Sequence, residues 1–355
     1  MGFTFDALLN IVEQFDIEGK VVSIEKYGEG HINNTFLVIT DKKRYVLQRM
    51  NTNVFKNIDV LMNNMYKVTT HLKNRGVETL NMVLLKDGRI YLNGEDNFRL
   101  CDFIENTITF QQVDSPETFK KVGEAFAVFQ KYLADFDATE LVDTIPLFHY
   151  TPKRFNDFKQ AVSQNLSNRK DTCLDEINFV LDREKDYSVI TNAIALGEVP
   201  LRVTHNDTKL NNVLMDETGS HGRAVIDLDT VMQGSLLYDF GDSIRFGAST
   251  AKEDEKDLDK VHFDINLFKA YAEGFCPPLK DVFTKAEKDL LPYGAYIMTM
   301  ECGMRFLGDY LNGDTYFATK YPEHNLVRCR TQFRLAKEMQ EQMSDMKKII
   351  NDILK

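Results

Sequence analysis

The chain has 355 residues, 43% hydrophobic and 27% charged, with 43 Lys+Arg against 54 Asp+Glu and a formal net charge of −11. That length is too great for one small core and fits a large two-lobed unit or two domains, with the composition of a globular enzyme. The acidic balance argues against nucleic acid or an anionic membrane surface as a partner.

Five scattered cysteines without Cys-x-x-Cys spacing read as reduced thiols in a cytoplasmic protein. No run approaches the ~18 apolar residues of a spanning helix. No basic-then-apolar leader is expected, and Asp6 stands where a myristoylation signal needs Ser or Thr.

In chain order, residues 5–15 form a short amphipathic helix with Leu8, Leu9, Ile11 and Val12 on its apolar side. Residues 21–26 alternate as a strand. A polar turn, Tyr27-Gly28-Glu29-Gly30-His31-Ile32-Asn33-Asn34-Thr35, leads into a second strand at 36–40, a hairpin at Asp41-Lys42-Lys43 and a third strand at 44–50. Gly28 and Gly30 let backbone approach a phosphate closely. His31 and Asn33 suit either turn chemistry or a substrate-facing edge. On the third strand Val46 and Gln48 share one face and Arg49 points to the other.

A helix over 57–75 has Ile58, Leu61, Met62, Met65, Val68 and Leu72 on one face and offers no Glu. Residues 82–85, 90–92 and 98–103 read as three more strands around glycine turns, and Leu100-Cys101-Asp102-Phe103-Ile104 as a connection between lobes. Cys101 reads as a buried apolar residue. Ser115 caps a helix with Pro116 at its first position, and Phe119, Val122, Phe126, Phe129, Leu133 and Phe136 recur as its buried face. His149 reads as a capping residue before the next helix. Residues 177–196 supply a further helix ended by Gly197.

The informative stretch follows. Residues 202–215 are a polar loop between apolar segments that carries His205-x-Asp207-x-Lys209-x-x-Asn212, and residues 223–230 are an apolar strand ending in Asp227-Leu228-Asp229-Thr230. Two carboxylates and an amide leaving the ends of buried strands suit a site for Mg²⁺ and a phosphoryl donor. Phosphoryl transfer needs an orienting base at the acceptor hydroxyl, divalent metal across the phosphates and in-line alignment. Mg²⁺ takes hard oxygen ligands, with one or two protein carboxylates. Asp207 is therefore the expected base, Asn212 and Asp227 the metal ligands, and Lys209 a contact for the γ-phosphate. His205 is expected to brace the loop.

Asp239 and Asp242 could be mistaken for a metal pair, but Asp227 has better support, so both are expected to be structural. Residues 251–260 are a charge run, read as a solvated face. The near-heptad apolar steps of 332–354 are expected to pack on the larger lobe, leaving a monomer.

His205-x-Asp207-x-x-x-x-Asn212 resembles the Brenner motif of the kinase-like phosphotransferases, the superfamily of aminoglycoside phosphotransferases, choline kinase and homoserine kinase. Asp227, 227 − 207 = 20 residues on, resembles the metal aspartate of that fold. Leu228-Asp229 stands where protein kinases carry Phe-Gly. The blocks 28–33, 204–212, 226–230, 239–250 and 316–326 resemble the N-acetylhexosamine 1-kinases of that superfamily, almost end to end. The resemblance implies an α+β, protein-kinase-like two-lobed fold, with a small antiparallel-sheet lobe over 1–103 and a mostly helical lobe over 104–355.

It also implies ATP and Mg²⁺, adenine against the backbone of Asp102 and Ile104, and a sugar acceptor. Gln48 departs from the pattern, standing where kinases of this fold carry a phosphate-binding Lys. Either its amide donates to phosphate or Lys209 supplies the charge. For the sugar, the resemblance implies Asp229 and Thr230 at hydroxyls, Phe246 stacked on the ring, and Arg305 and Tyr316 at an acetamido or ring oxygen. The ordinary alternatives are core packing for Phe246 and Tyr316 and a Glu301 pair for Arg305. The expected activity is an anomeric (1-) kinase of N-acetylhexosamines. The alternatives are a kinase of an amine or amino acid, which would need a carboxylate cluster at the acceptor, and a non-catalytic nucleotide-binding module.

Overall fold

In the computed structural model, which describes residues 3–28 and 33–355, the chain opens with helix α1 (Phe5–Val12), whose N-terminus is capped by the Thr4 hydroxyl. Strands β1 (Val21–Lys26), β2 (Asn34–Thr40) and β3 (Arg44–Arg49) form an antiparallel meander. Helix α2 (Ile58–Asn74) follows, capped by Asn57. Strands β4 (Met82–Val83) and β5 (Phe98–Asp102) complete a five-stranded antiparallel sheet of order β1-β2-β3-β5-β4.

Strand alternation divides this sheet. Tyr45, Leu47, Phe98 and Leu100 point to one side and bury against Leu8, Val12 and Phe15 of the α1 segment. Cys101 points to the other side, into the core with α2. Gln48 shares the Cys101 side, as the alternation in the sequence predicts. Arg49 points away and pairs with Asp96. Burial pushes the Cys101 thiol up to about 11, consistent with an inert core residue.

The helical region begins after a short strand, β6 (Thr107–Ile108), with α3 (Pro116–Tyr132). Ser115 Oγ accepts from Thr118 N at 3.1 Å, so the cap and the proline lie where the sequence puts them. Helices α4 (Thr151–Gln164), α5 (Leu174–Leu181) and α6 (Val189–Ala195) lead to β7 (Arg202–Thr204), β8 (Val213–Asp216), β9 (Gly222–Val225) and β10 (Met232–Gly234). Strand β7 pairs with β10, and β6, β8 and β9 form a three-stranded sheet. Helices α7 (Leu236–Gly247), α8 (Ile265–Phe275), α9 (Lys285–Asn312), α10 (His324–Glu341) and α11 (Met343–Leu354) complete the chain. Helices α7 and α9 cross in near backbone contact. A Cβ at Gly241 would lie 2.3 Å from Gly294 O, and one at Gly294 would lie 2.5 Å from Leu237 O.

Two expectations are corrected. Residues 90–92 make only a Leu92–Phe98 bridge, because turns on both sides leave too few residues for a ladder. Residues 177–196 are two helices joined by a 3₁₀ turn at Glu184–Ser188. There the charged run Asp182-Arg183-Glu184-Lys185-Asp186 interrupts the apolar stripe, and the hydroxyls of Tyr293 and Tyr296 pin Asp186. The C-terminal helix breaks at Gln342, although Phe333, Ala336, Met339, Met346 and Ile350 are all buried, as packing on the larger lobe requires. Among the described residues no helix is long and apolar enough to cross a membrane.

Candidate active site

The loop between β7 and β8 is fastened at nearly every residue. Asp239, in the first turn of α7, accepts from His205 N at 2.9 Å and Asn206 N at 2.8 Å, and Gln130 Nε2 donates to the same carboxylate. Thr208 Oγ1 donates to Asp239 O at 2.6 Å, and Thr208 N to Asp242 Oδ2 at 3.0 Å. Asp242 is in turn held by Arg245. These bonds are why both aspartates are structural, as their positions in the sequence suggest. His205 Nε2 meets Ile226 O at 2.8 Å with the rings of Phe126 and Phe129 edge-on, so it braces backbone as expected.

Asn206 takes a left-handed φ of 64°. Its side chain donates to Thr230 O at 2.9 Å, and His149 Nε2 lies 3.3 Å from its carbonyl. His149 is thus not a helix cap. It bridges the loop between β7 and β8 to Glu301 on α9, with Nδ1 2.8 Å from Oε1.

This scaffold presents Asp207, whose carboxylate meets Lys209 Nζ at 2.8 Å. Asn212 Nδ2 donates to Asp207 O at 2.8 Å, and Ile226 N donates to Asn212 O at 2.9 Å. The loop and the β9 segment are therefore in fixed register. Asp227 has a left-handed φ of 60° and no hydrogen-bonding side-chain partner among the described residues. It is open to solvent yet set among dense protein atoms. That desolvation, with the charges of Asp229 and Asp207, pushes its carboxyl up to about 6. The solvent-reached Asp227 carboxylate follows Ile226, which bonds Asn212, and a carboxylate and an amide are the hard-oxygen donor types that fit Mg²⁺.

Beside Gln48 stands a buried cation that the sequence reading overlooked. Gln48 Oε1 accepts from Arg99 Nε at 2.9 Å, since β3 and β5 pair these two residues directly. Arg99 is 1% exposed, and its Nη1 pairs with Asp229 Oδ1. Asn33 Nδ2 donates to Asp229 Oδ2 at 2.6 Å. Asp229 therefore has both oxygens engaged by residues from the sheet side. The available signal was a lone arginine on the inward face of an otherwise apolar strand, Phe98-Arg99-Leu100-Cys101.

Gly28 has φ 72°, which favours glycine. Gly30 and His31 lie outside the described residues. The Asp102 carboxylate binds Lys43 at 2.9 Å, and Ile104 O accepts from Thr107 Oγ1 at 3.0 Å. Thr230 Oγ1 donates to His205 O at 2.7 Å, so this hydroxyl also fastens the loop.

On the acceptor side Phe246 is half-buried against the core. The expected alternative of a Glu301–Arg305 pair is not formed: the Glu301 carboxylate meets His149 and accepts from Thr151 Oγ1 at 2.7 Å. The Arg305 guanidinium instead lies 5.6, 5.7 and 5.5 Å from the ring centroids of Phe148, Tyr316 and Phe317. The charge run 251–260 is not simply solvated either. Glu253 binds Arg245 on α7 and Arg328 on α10, and Asp254 binds the exposed Lys320 and meets His324, so the acids of this run serve partners elsewhere in the fold.

The family described as "phosphotransferase enzyme family" matches residues 23–274. Among solved structures the chain is similar to an aminoglycoside phosphotransferase from Alicyclobacillus acidocaldarius (TM-score 0.67, 12% identity, 99% of this chain and 98% of that chain covered). It is also similar to choline kinase from Cryptosporidium parvum (TM-score 0.59, 15% identity, 98% and 99% covered). A third is spectinomycin phosphotransferase in complex with ADP and spectinomycin (TM-score 0.59, 12% identity, 99% of both chains covered). At these identities the likeness is one of fold, the protein-kinase-like fold of this family. The match spans most of the chain and includes the braced loop and the Asp227 segment, so the protein belongs to the phosphotransferase enzyme family.

Proposed function

We propose that the protein is an ATP- and Mg²⁺-dependent kinase that phosphorylates the anomeric hydroxyl of an N-acetylhexosamine, as a monomer in the cytoplasm. Its two lobes divide at 103/104, and adenine lies against the backbone of Asp102 and Ile104. Gly28 and Gly30 let backbone approach the phosphates, and Lys209 faces the γ-phosphate. Asp227 and Asn212 hold Mg²⁺, which when bound supplies positive charge across the transferring phosphates. Asp207 takes the proton of the acceptor hydroxyl. An anomeric hydroxyl, more acidic than an ordinary alcohol, suits a carboxylate base. His31, Asn33, Asp229, Thr230, Phe246, Arg305 and Tyr316 surround the sugar.

One observation carries the choice of a neutral acceptor. Around the catalytic loop Asp229, Asp242 and Glu301 each already have an internal partner, while the Arg305 guanidinium makes no ion pair among the described residues. A wall whose acids are engaged internally and whose cation carries no acid partner suits carbonyl and hydroxyl oxygens and repels an ammonium. The second reading, a kinase of an amine, is favoured by the likeness to aminoglycoside and choline kinases. A non-catalytic nucleotide-binding module would fit Gln48 but leaves Asp207, Asn212 and Asp227 without a purpose. The test is ADP release with Mg-ATP over free sugars, N-acetylated sugars, choline and homoserine. Turnover of N-acetylhexosamines is expected, and turnover confined to amines would end the sugar reading.

A further inference from the structure

Helix α9 ends at Gly313, with φ 93°, and Asp314 follows at φ 60°. The chain then turns back across its own last helical turn. That turn is wound around one carboxylate. Asp309 Oδ1 accepts from Thr315 N at 2.9 Å and Tyr316 N at 2.8 Å, and Oδ2 accepts from Phe317 N and Asn325 Nδ2, both at 2.9 Å. Asp309 is 6% exposed and Asn325 0%. The Asn325 amide also reaches Asp314 Oδ1 at 2.8 Å, and Arg169 pairs with Asp314. A buried carboxylate is costly to desolvate and is sustained here by four N–H donors.

What this clasp presents is not itself buried. Tyr316 is 67% exposed. Its ring is edge-on to Phe317 at 4.7 Å, and its hydroxyl lies 3.5 Å from Arg305 Nη2. An exposed tyrosine adds little to folding, so fixing its backbone this firmly has its value in preorganising a surface for a ligand.

We propose that Asp309, supported by Asn325, is a positioning residue for the acceptor. It fixes the loop over 313–317 so that Tyr316 and Phe317 hold Arg305 in the orientation that receives the acceptor's oxygens. This rests on the reading above that Arg305 and Tyr316 face the acceptor. Asp309 itself touches no substrate atom.

The test is steady-state kinetics on the full chain, with an acceptor that the wild type turns over. The variants are Asp309→Asn, Asn325→Ala, Tyr316→Ala and the Asp309→Asn/Tyr316→Ala double. Asp309→Asn turns an NH₂ toward backbone donors, and the acceptor KM should rise about tenfold while the ATP KM moves by less than about twofold. Asn325→Ala should act in the same direction, by about threefold. On the Tyr316→Ala background Asp309→Asn should raise the acceptor KM by less than it does alone, because Tyr316 is one of the two residues through which it acts. Hydrogen exchange of the 315–317 amides should quicken in Asp309→Asn. Additive effects in the double variant, or an ATP KM that rises in step, would make Asp309 merely structural and overturn the proposal. If Tyr316→Ala raises the acceptor KM and Asp309→Asn does not, the clasp alone is wrong. If Tyr316→Ala has no effect, the acceptor wall itself is misplaced and the proposal falls with it. Should Asp309→Asn fail to fold, Asn325→Ala carries the same comparison.

Discussion

Replacing Arg99 with Met should be among the most damaging single changes outside the catalytic loop. The side chains of Arg99 and Asp229 are 2% and 5% exposed, and the guanidinium also bonds Gln48 Oε1 at 2.9 Å. Met fills similar volume but leaves the Asp229 carboxylate buried with only Asn33 as a side-chain donor. Breaking a buried pair by removing one partner costs about 3–5 kcal/mol, whereas replacing both partners with apolar residues is often nearly neutral. Arg99→Met should therefore lose about 3–5 kcal/mol, and Arg99→Met/Asp229→Leu should recover most of it. Urea unfolding of the wild type, both single variants and the double gives the coupling between the two sites. A loss below about 1 kcal/mol, within the range of exposed pairs, would show that the pair is solvated. Simple additivity in the double variant would lead to the same conclusion.

Restoring the usual kinase residue with Gln48→Lys should not improve the protein: it sets a second cation beside Arg99 and removes an acceptor, costing about 1–3 kcal/mol in the same unfolding assay. Asp207→Asn should keep Mg-ATP affinity, measured by calorimetry, and lose about 10²–10⁴ in kcat, the usual worth of a general base. Asp227→Ala should lose the Mg²⁺-dependent part of nucleotide binding, so that titrations with and without Mg²⁺ become alike. Gly294→Ala places a Cβ 2.5 Å from Leu237 O. It should cost about 1–3 kcal/mol and lower turnover, because α7 carries the aspartates that fasten the catalytic loop.

Local signals in the sequence proved faithful where the physics is local. Ser115-Pro116 starts a helix because its cap bond closes within three residues. The alternation of β3 puts Gln48 inward because side-chain direction is set by pleat alone. His205 was legible as a brace because it sits within the loop itself, and Asp239 as structural because Asp227 was the better-supported metal ligand. Failures came where a distant partner decides. Nothing in the stretch 251–260 says that Glu253 will be claimed by Arg245 and Arg328. Helical spacing suggested Glu301 for Arg305, and His149, 152 residues away in sequence, took it instead. Arg99 was hidden for the same reason, since its register opposite Gln48 exists only once β3 and β5 pair.

The four residues from Asp227 to Thr230 explain why the two halves of the protein depend on one another. With ordinary strand geometry at 227, alternation would send Asp227 and Asp229 to one side together. The left-handed turn at Asp227, followed by a 3₁₀ turn over Leu228–Thr230, separates them. Asp227 is exposed, Leu228 is 1% exposed in the core, Asp229 meets Arg99 and Asn33 from the sheet side, and Thr230 donates to the carbonyl of His205. A left-handed aspartate costs about 1–3 kcal/mol and persists only when its surroundings over-determine it. Here they do, since both neighbouring polar side chains are tied to different parts of the fold. A disturbance at Arg99 therefore reaches Asp227 through Asp229 and Leu228, and a disturbance at Thr230 reaches the loop that carries Asp207 through the carbonyl of His205. Both arms converge on the same strained turn, which is why it can be held firmly in spite of its strain.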